Sequence, residues 1–285
     1  MTYTQVSYAV HERIATITLD RAESRNGFTV VMADELAAAF GAAEADADVR
    51  AIVLAANGKD FCVGMDLAAG GLADVEQPDW MEPATRVTRP MYASTKPVIA
   101  AIQGAAAGVG VTMTLPADYR LATLDARFGF VFARRGLYPE GGSTWFLPRI
   151  VGLGRAMDWM VSGRIFGAQE ALTAGLVHSL HEPAELLPRA YDLAREIVTQ
   201  CAPVSVAVIR QALLRMGGVD SPEAAFQLDS KLIAGCAQSP DAVEGIVSFL
   251  QRRPPEFTLN TPRDLPPFLP WLEPPGQEPP WPGPQ

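Results

Sequence analysis

The sequence predicts an α/β core followed by a helical C-terminal part. Short apolar runs rich in β-branched residues alternate with amphipathic helical stretches up to about residue 201, a pattern typical of strands and helices packed in layers. From residue 202 the pattern is wholly helical, and beyond Pro254 prolines are dense enough to favour an extended chain. We therefore divide the chain into an α/β core (residues 1–201), a helical region (202–253) and a Pro-rich tail (254–285).

The composition argues against several classes of function. With 48% hydrophobic and 19% charged residues among 285, the chain is expected to be globular. Its net charge of −9 gives no attraction to nucleic acid or to an anionic membrane surface, so we expect neither as a partner. The three cysteines are far apart and lack CxxC spacing, which favours reduced thiols in the cytoplasm. We also expect no signal peptide and no membrane span.

A hairpin and a parallel crossover are predicted at the start of the core. Residues 6–19 alternate in polarity on either side of His11, Glu12 and Arg13, as in an antiparallel hairpin. A helix capped by Thr29 should follow, because apolar residues then recur at helical spacing. A buried strand at 51–55 comes next, and this order implies a right-handed parallel connection.

The stretch 96–122 organises the rest of the core. Residues 97–102 are typical of a buried strand, 103–108 of a tight turn of small residues, and 109–115 of the first turns of a buried helix. The first N–H groups of a helix lack internal acceptors and lie at the positive end of its dipole, so this arrangement could bind an oxyanion. Close packing of helix on strand would explain the same small residues.

The later elements follow from the same patterns. A strand is expected at 118–122, an extended segment at 126–130 and a glycine-rich loop at 134–148 that turns into a helix. Beyond this loop we predict helices at 155–161 and 168–174, a strand at 175–177, and helices at 184–201, 204–216, 222–237 and 241–252.

Three loop-to-helix turns carry the chemistry, and together they indicate a family. They are FCVGMDL (61–67), GVG (108–110) and GLYPEGGS (136–143). In this order, and with KPVIAAIQGAAAGVG, RFGF and FLQRRPPEF, they closely resemble the crotonase (enoyl-CoA hydratase/isomerase) superfamily, over nearly the whole chain to about Phe257. The resemblance implies the crotonase fold, with repeated ββα units in a spiral core, and an enzyme that acts on acyl-CoA thioesters.

The resemblance also implies an assembly and an oxyanion hole. The helical region 202–253 would mediate assembly into a homotrimer or a dimer of trimers. Backbone N–H groups of Met65 and Val109 would bind the thioester carbonyl, which agrees with the place of both residues at turns that open helices. Coenzyme A would enter as part of the substrate. No prosthetic group or metal ion is expected, because the three histidines are dispersed and no carboxylates cluster with them.

The acid/base position departs from the two-glutamate pattern of the common hydratases. The positions where those hydratases carry glutamates hold Thr112 and Phe132 here. Glu140 instead lies in the Pro-Glu-Gly-Gly turn, where Δ3,Δ2-enoyl-CoA isomerases carry theirs. One carboxylate suits an isomerase, which takes a proton from C2 and returns it at C4. An apolar pocket formed by Phe130, Phe132, Tyr138 and Trp145 is expected to raise the Glu140 pKa.

Three other functions remain open at this point. A hydratase would need a second acid or an ordered polar group near Thr112 or Tyr138 to handle water. An acyl-CoA thioester hydrolase would release free coenzyme A, and a non-catalytic scaffold would tolerate Glu140→Gln.

The resemblance places coenzyme A on three loops. They supply Ser24 and Arg25 from one turn, and Phe61, Val63, Gly64 and Gly108 from the backbone of the others. Arg25 is a reasonable partner for a phosphate, although a solvated loop arginine explains it equally well.

Overall fold

Two sheets form the framework of the molecule. The computed structural model describes residues 3–69 and 80–271, and within these ranges nine strands form a six-stranded sheet of order β1-β2-β3-β4-β6-β9 and a three-stranded sheet of order β5-β7-β8. The strands are β1 (Val6–His11), β2 (Ile14–Leu19), β3 (Ala51–Ala56), β4 (Val98–Ile102), β5 (Ala105–Ala107), β6 (Tyr119–Thr123), β7 (Arg127–Gly129), β8 (Ile165–Gly167) and β9 (Ser179–His181).

Helices lie between and after these strands. They are α1 (Val30–Ala45), α2 (Pro83–Ala93), α3 (Val109–Thr112), α4 (Ser143–Val151), α5 (Leu153–Ser162), α6 (Ala168–Thr173), α7 (Pro183–Gln200), α8 (Pro203–Met216), α9 (Glu223–Cys236) and α10 (Pro240–Gln251). From α7 onward the described chain is helical as far as α10, as the sequence predicts.

The α/β class, the first hairpin and the parallel crossover are confirmed. β1 and β2 pair antiparallel across a two-residue turn in which Glu12 and Arg13 have φ angles of 50° and 65°. β2 pairs in parallel with β3, and α1 connects them after the predicted cap: the Thr29 hydroxyl accepts the N–H of Met32 at 3.0 Å. The pairs β3–β4, β4–β6 and β6–β9 are parallel as well.

The six-stranded sheet is buried on both faces. Ile52 and Leu54 of β3 belong to the main hydrophobic cluster, which also includes the apolar face of α1. Their neighbours Ala51 and Val53 belong to a second cluster that the buried face of α7 completes. Burial on both faces explains why β3 is apolar throughout instead of alternating.

A buried arginine fixes α8 to the core. Arg210 donates to the Asp118 carboxylate at 2.8 Å and to several main-chain carbonyls, including that of Ser94 at 2.6 Å. Asp118 also accepts the N–H of Val98 at 2.7 Å, at the first residue of β4. Asp118 thus fixes backbone beside the core and ties the first helix of the 202–253 region to β4.

Part of the Pro-rich tail packs on its own chain. Leu265, Leu269 and Trp271 lie against Val208 of α8 and Leu228 of α9. Leu272 and Trp281 of the same tail lie outside the described residues.

Two sequence predictions are wrong in detail. Residues 105–107 form a strand instead of part of a turn, because three small side chains fit between Cys62 and β7 and the backbone pairs with both. The strand expected at 175–177 lies four residues later, at β9, because Leu176 and Val177 are buried in the main cluster before the chain reaches the sheet.

No single helix among residues 3–69 and 80–271 is long and apolar enough to cross a membrane. Helices α7 and α8 satisfy that test only as a pair, and the chain bends by 115° between them.

Candidate active site

The first loop leaves the N–H of Met65 without an acceptor among the described residues. The N–H of Phe28 donates to the carbonyl of Gly64 at 2.9 Å, and the N–H of Asp66 donates to the carbonyl of Phe28 at 2.8 Å. Successive N–H groups of an extended chain point to opposite sides, so that of Met65 points away from Phe28. Gly64 has a φ of 103°, which makes this turn costly for any other residue.

The second loop presents the N–H of Val109 in the same way. The preceding N–H, that of Gly108, donates to the carbonyl of Gly129 at 2.9 Å. Val109 then begins α3, where the first N–H groups have no intrahelical partner. No acceptor for the N–H of Val109 lies in the described part of the chain.

The two loops lie side by side. The N–H of Cys62 donates to the carbonyl of Ala105 at 3.0 Å, and the N–H of Ala107 donates to the carbonyl of Cys62 at 3.0 Å. The two loops also lie in close contact beyond β5, because a Cβ added to Gly110 would lie 2.1 Å from the Cys62 carbonyl oxygen. Only a glycine permits this approach, so the small residues of the sequence serve to bring the two turns together.

Glu140 is hydrogen-bonded to the helix that begins with Val109. The hydroxyl of Thr112 donates to Glu140 Oε1 at 2.5 Å, and the side chain of Thr112 is fully buried. The turn that carries Glu140 is closed by Ser143, whose N–H and hydroxyl donate to the Glu140 carbonyl at 3.0 and 2.7 Å. The structure thus brings Glu140, Thr112 and Val109 to one place.

The surroundings of Glu140 favour its protonated form. Burial raises the pKa of the carboxyl group to about 8, and the nearby charge of Glu82 and a hydrogen bond to Glu82 raise it as well. The hydrogen bond from Thr112 opposes these effects, because it stabilises the carboxylate. At pH 7 roughly one-tenth of the Glu140 side chains are therefore ionised.

Glu82 is the residue that sequence analysis missed. It is the N-cap of α2 and accepts the N–H groups of Ala84 and Thr85 at 2.5 and 2.8 Å. It also accepts the N–H of Gly141, next to Glu140, at 3.2 Å. The dipeptide Glu82-Pro83 indicates only a helix start, and its contact with a turn 58 residues later depends on the tertiary fold.

The expected apolar pocket differs from the structure. Phe130 and Phe132 are buried, but Tyr138 is 88% exposed and cannot enclose Glu140 within this chain. Trp145 packs edge-to-face on Phe146 with ring centroids 4.9 Å apart. The Glu140 turn instead contacts α2, which packs on Gly141, and α3, whose Thr112 hydroxyl donates to Glu140.

Asp66 holds the first loop in position. One carboxylate oxygen accepts the N–H of Ala68 at 3.2 Å and the other accepts Arg21 Nη2 at 3.1 Å. Arg21 also donates to the carbonyl of Gly27, so the loop is tied to the chain just before α1.

The residues expected to contact coenzyme A lie around these turns. Ser24 is half-buried in a short 3₁₀ turn, and the side chain of Phe61 is fully buried. Val63 is half-buried, while Gly64 and Gly108 lie where the two loops meet. These contacts remain predictions.

Arg25 is already engaged within the protein. Its Nε donates to the Asp60 carboxylate at 2.7 Å, although 63% of the arginine side chain is exposed. Asp60 in turn accepts the N–H of Ala105 at 2.9 Å. The ion pair gives Arg25 a structural role beside the two loops, and its exposed guanidinium atoms can still meet an anion.

Within the described residues, an α/β fold thus presents two main-chain N–H groups without acceptors and a half-buried carboxyl group of raised pKa, an arrangement found in enzymes. Comparison with known proteins agrees: residues 9–260 match the enoyl-CoA hydratase/isomerase family. The chain is 37% identical over 246 residues to enoyl-CoA hydratase ACTT3 of Alternaria alternata, covering 86% of this chain and 82% of that protein.

Two further relatives extend the comparison. The 1,2-epoxyphenylacetyl-CoA isomerase of Escherichia coli is 32% identical over 256 residues, 87% of this chain and 96% of that protein. The crystal structure of an enoyl-CoA hydratase from Mycobacterium smegmatis superposes with a TM-score of 0.78 at 30% identity, covering 89% of this chain and 99% of the other. The chain belongs to the enoyl-CoA hydratase/isomerase family and has the crotonase-like fold that the sequence predicts.

Proposed function

We propose that this enzyme converts a 3-enoyl-CoA into the 2-enoyl-CoA. The observation that carries the proposal is the half-buried hydrogen bond between Glu140 and Thr112, one helical turn from the N–H of Val109, which has no acceptor among the described residues. The raised pKa of Glu140 supports its assignment as the base, and the other two acid/base positions of the superfamily pattern hold Thr112 and Phe132.

The reaction uses these groups in two proton transfers. The thioester carbonyl accepts hydrogen bonds from the N–H groups of Met65 and Val109, and the Glu140 carboxylate removes a proton from C2. The electron pair delocalises into the carbonyl and the C3–C4 double bond, and the two donors stabilise the resulting dienolate. Glu140 then returns the proton at C4, which leaves a C2–C3 double bond and regenerates the carboxylate.

Coenzyme A belongs to the substrate in this scheme, and no step requires a prosthetic group or a metal ion. The loops that carry Ser24, Arg25, Phe61, Val63, Gly64 and Gly108 would hold it. The widely spaced cysteines and the negative charge support a cytoplasmic enzyme without nucleic-acid or membrane partners.

Incubation with two substrates tests the proposal. Wild type and Glu140→Gln are given a 3-enoyl-CoA and a 2-enoyl-CoA, and products are identified by chromatography and mass. A double-bond shift without a change of mass, reduced about 100-fold or more in Glu140→Gln, is the expected result. Glu182→Gln is the matched control, because it removes an exposed glutamate from another helix start. Isomerisation that survives in Glu140→Gln would contradict the assignment of the base.

Hydration of a 2-enoyl-CoA is the second candidate. A specific observation favours it, since Glu82 lies beside Glu140 and a pair of carboxyl groups can act as base and acid toward water. Relatives such as ACTT3 also carry the name enoyl-CoA hydratase. In the same assay a mass gain of one water would favour this reaction, and release of free coenzyme A would favour a hydrolase. No turnover and full tolerance of Glu140→Gln would favour a scaffold.

We propose further that the chain assembles as a homotrimer or a dimer of trimers through its helical region. Helices α8 to α10 carry large apolar side chains in contact with solvent in the single chain: Ile209, Leu213, Phe226, Ile233, Ile246, Phe249 and Leu250. Such a surface is typical of an interface between subunits. Phe249 is 81% exposed, so Phe249→Glu should reduce the assembly to smaller species in sedimentation while leaving the subunit folded. A monomeric wild type would refute the proposal.

A further inference from the structure

Glu82 connects the start of α2 to the turn that carries Glu140. Its carboxylate accepts the N–H of Ala84, and the N–H and hydroxyl of Thr85, the hydroxyl at 2.9 Å. The N–H of Gly141 donates to the same carboxylate oxygen as Thr85, at 3.2 Å. The Gly141 backbone is packed against α2, since an added Cβ would lie 3.3 Å from Ala84 Cβ and 3.3 Å from Thr88 Cγ2.

We propose that Glu82 is a positioning residue that shares one proton with Glu140 and holds the Glu140 turn in place for proton transfer. The inference deepens the function proposed above and rests on it for its kinetic consequence. Its physical content, a carboxyl pair that binds a single proton, is independent of which acyl-CoA reaction the enzyme performs.

The raised pKa of Glu140 decides which partner carries the proton. Glu82 accepts four hydrogen bonds, three from the start of α2 and one from Gly141. Glu140 receives a single side-chain donor, Thr112, while burial and the nearby charge of Glu82 raise its pKa to about 8. A hydrogen bond between two carboxyl groups requires one proton, and it therefore resides on Glu140.

No described cation acts on Glu140. Arg86, one turn into α2, donates to the Asp34 carboxylate at 2.9 Å and to the carbonyl of Met81 at 3.0 Å. Cys62 lies nearby, but burial raises the pKa of its thiol to about 12, so it stays neutral over the working range. Burial is the largest cause of the raised Glu140 pKa, and among the described groups Glu82 supplies the charge that raises it further.

The arrangement suits a base that must remove a weakly acidic proton. The negative charge of Glu82 makes the ionised form of Glu140 more basic toward C2 of the substrate, and the same charge reduces the ionised fraction at neutral pH. After the transfer, protonated Glu140 regains its hydrogen bond to Glu82 until the proton is returned. Removal of the Glu82 charge should lower the pKa of Glu140 and weaken it as a base.

A titration that does not depend on activity tests the proposal. Protein labelled with ¹³C at glutamate side-chain carboxyls is titrated by NMR, and the signal that disappears in Glu140→Gln identifies Glu140. The expected midpoint is near pH 8 in wild type and lower by about 1 unit or more in Glu82→Gln. Glu82→Asn serves as a second neutral variant, because asparagine is a strong N-cap and preserves the start of α2. Glu82→Asp keeps the charge and should keep the high midpoint.

Glu182 provides the matched control, since it also precedes a proline at the N-cap of a helix but is exposed. The Glu140 midpoint should be unchanged in Glu182→Gln. A midpoint in the neutral Glu82 variants equal to that of wild type would overturn the proposal, as would an equal decrease in Glu82→Asp. In kinetics, the rise of kcat/KM with pH should move to lower pH together with the midpoint. If the midpoint moves but neither enoyl-CoA is turned over, the proposed function fails and the shared proton stands.

Discussion

Thr112→Val should move the pH dependence of the reaction without disturbing the fold. The substitution replaces a fully buried hydroxyl by a methyl group of similar size and removes the 2.5 Å hydrogen bond to Glu140. That bond lowers the pKa of Glu140, so its loss should raise a pKa already near 8. The ascending limb of kcat/KM, which requires ionised Glu140, should therefore move to higher pH.

The expected size follows from the energy of one hydrogen bond to a charged group. Such a bond contributes about 1.5–3 kcal/mol, which corresponds to about 1–2 pKa units. At pH 7 the ionised fraction of Glu140 would fall from roughly one-tenth to about one-hundredth or one-thousandth, and kcat/KM would fall about 10- to 100-fold. The ratio of wild-type kcat/KM to that of the variant should be constant well below pH 8. It should decrease above pH 8, because wild-type Glu140 becomes fully ionised there.

The assay is the initial rate of 3-enoyl-CoA isomerisation between pH 6 and 9.5 with both proteins. Thr114→Val is the control, because this fully buried hydroxyl donates to the carbonyl of Val111 at 2.8 Å and does not contact Glu140. A ratio that stays the same at every pH would refute the reasoning, since it would mean that Thr112 acts by geometry alone. Unchanged activity at pH 7 would refute it as well.

Three other substitutions test separate features of the structure. Gly110→Ala should abolish turnover, measured as kcat/KM, because the added Cβ would lie 2.1 Å from the Cys62 carbonyl oxygen and separate the two loops. Arg210→Met should reduce the free energy of unfolding by about 3–5 kcal/mol in urea, because it leaves Asp118 without its buried cation. Glu140→Gln should stabilise the protein above pH 8, by at most about 5 kcal/mol, since the native carboxyl must otherwise ionise while buried.

The sign of the Glu140→Gln effect on stability follows from the direction of the Glu140 pKa shift. The folded-state pKa of Glu140 is raised from 4.5 to about 8, so the proton stabilises the fold fully below pH 4.5. That stabilisation is lost as the pH rises to 8. Equal melting temperatures of wild type and Glu140→Gln at pH 5 and at pH 9 would contradict it.

Gly110→Ala and Arg210→Met each have a matched control variant. Gly154→Ala adds a methyl group with no atom within 4 Å and should leave kcat/KM unchanged, and Arg189→Met removes an arginine side chain that is 57% exposed and should change stability little. Full activity of Gly110→Ala would show that close approach of Gly110 to Cys62 is not required for turnover. A loss of unfolding free energy in Arg210→Met no larger than in Arg189→Met would show that the Arg210–Asp118 ion pair contributes little to stability.

The sequence predicted local structure better than it predicted contacts between distant segments. Thr29 and Asp66 are caps with a local hydrogen-bond signature, so their roles could be predicted from neighbouring residues alone. Tyr138 is different, because whether an aromatic in a loop faces a pocket or solvent depends on the path of the loop.

Glu82 and Glu140 also show that contacts between distant segments are hard to predict from sequence. Glu140 could be singled out from its Pro-Glu-Gly-Gly turn, but Glu82 precedes a proline in a way that indicates a helix start and nothing more. Its bond to the N–H of Gly141 exists because α2 packs against the Glu140 turn. That packing is a property of the tertiary structure, and no periodicity within either segment encodes it.

The two halves of this site differ in how mutation can reach them. The N–H groups of Met65 and Val109 belong to the main chain, so any change of either side chain other than to proline leaves both donors chemically intact. The carboxyl of Glu140 is a side chain on a turn, and one substitution removes it. A lineage that inherits this fold therefore keeps its capacity to bind an oxyanion through long sequence drift, while the proton chemistry can be lost, moved or replaced in a single step.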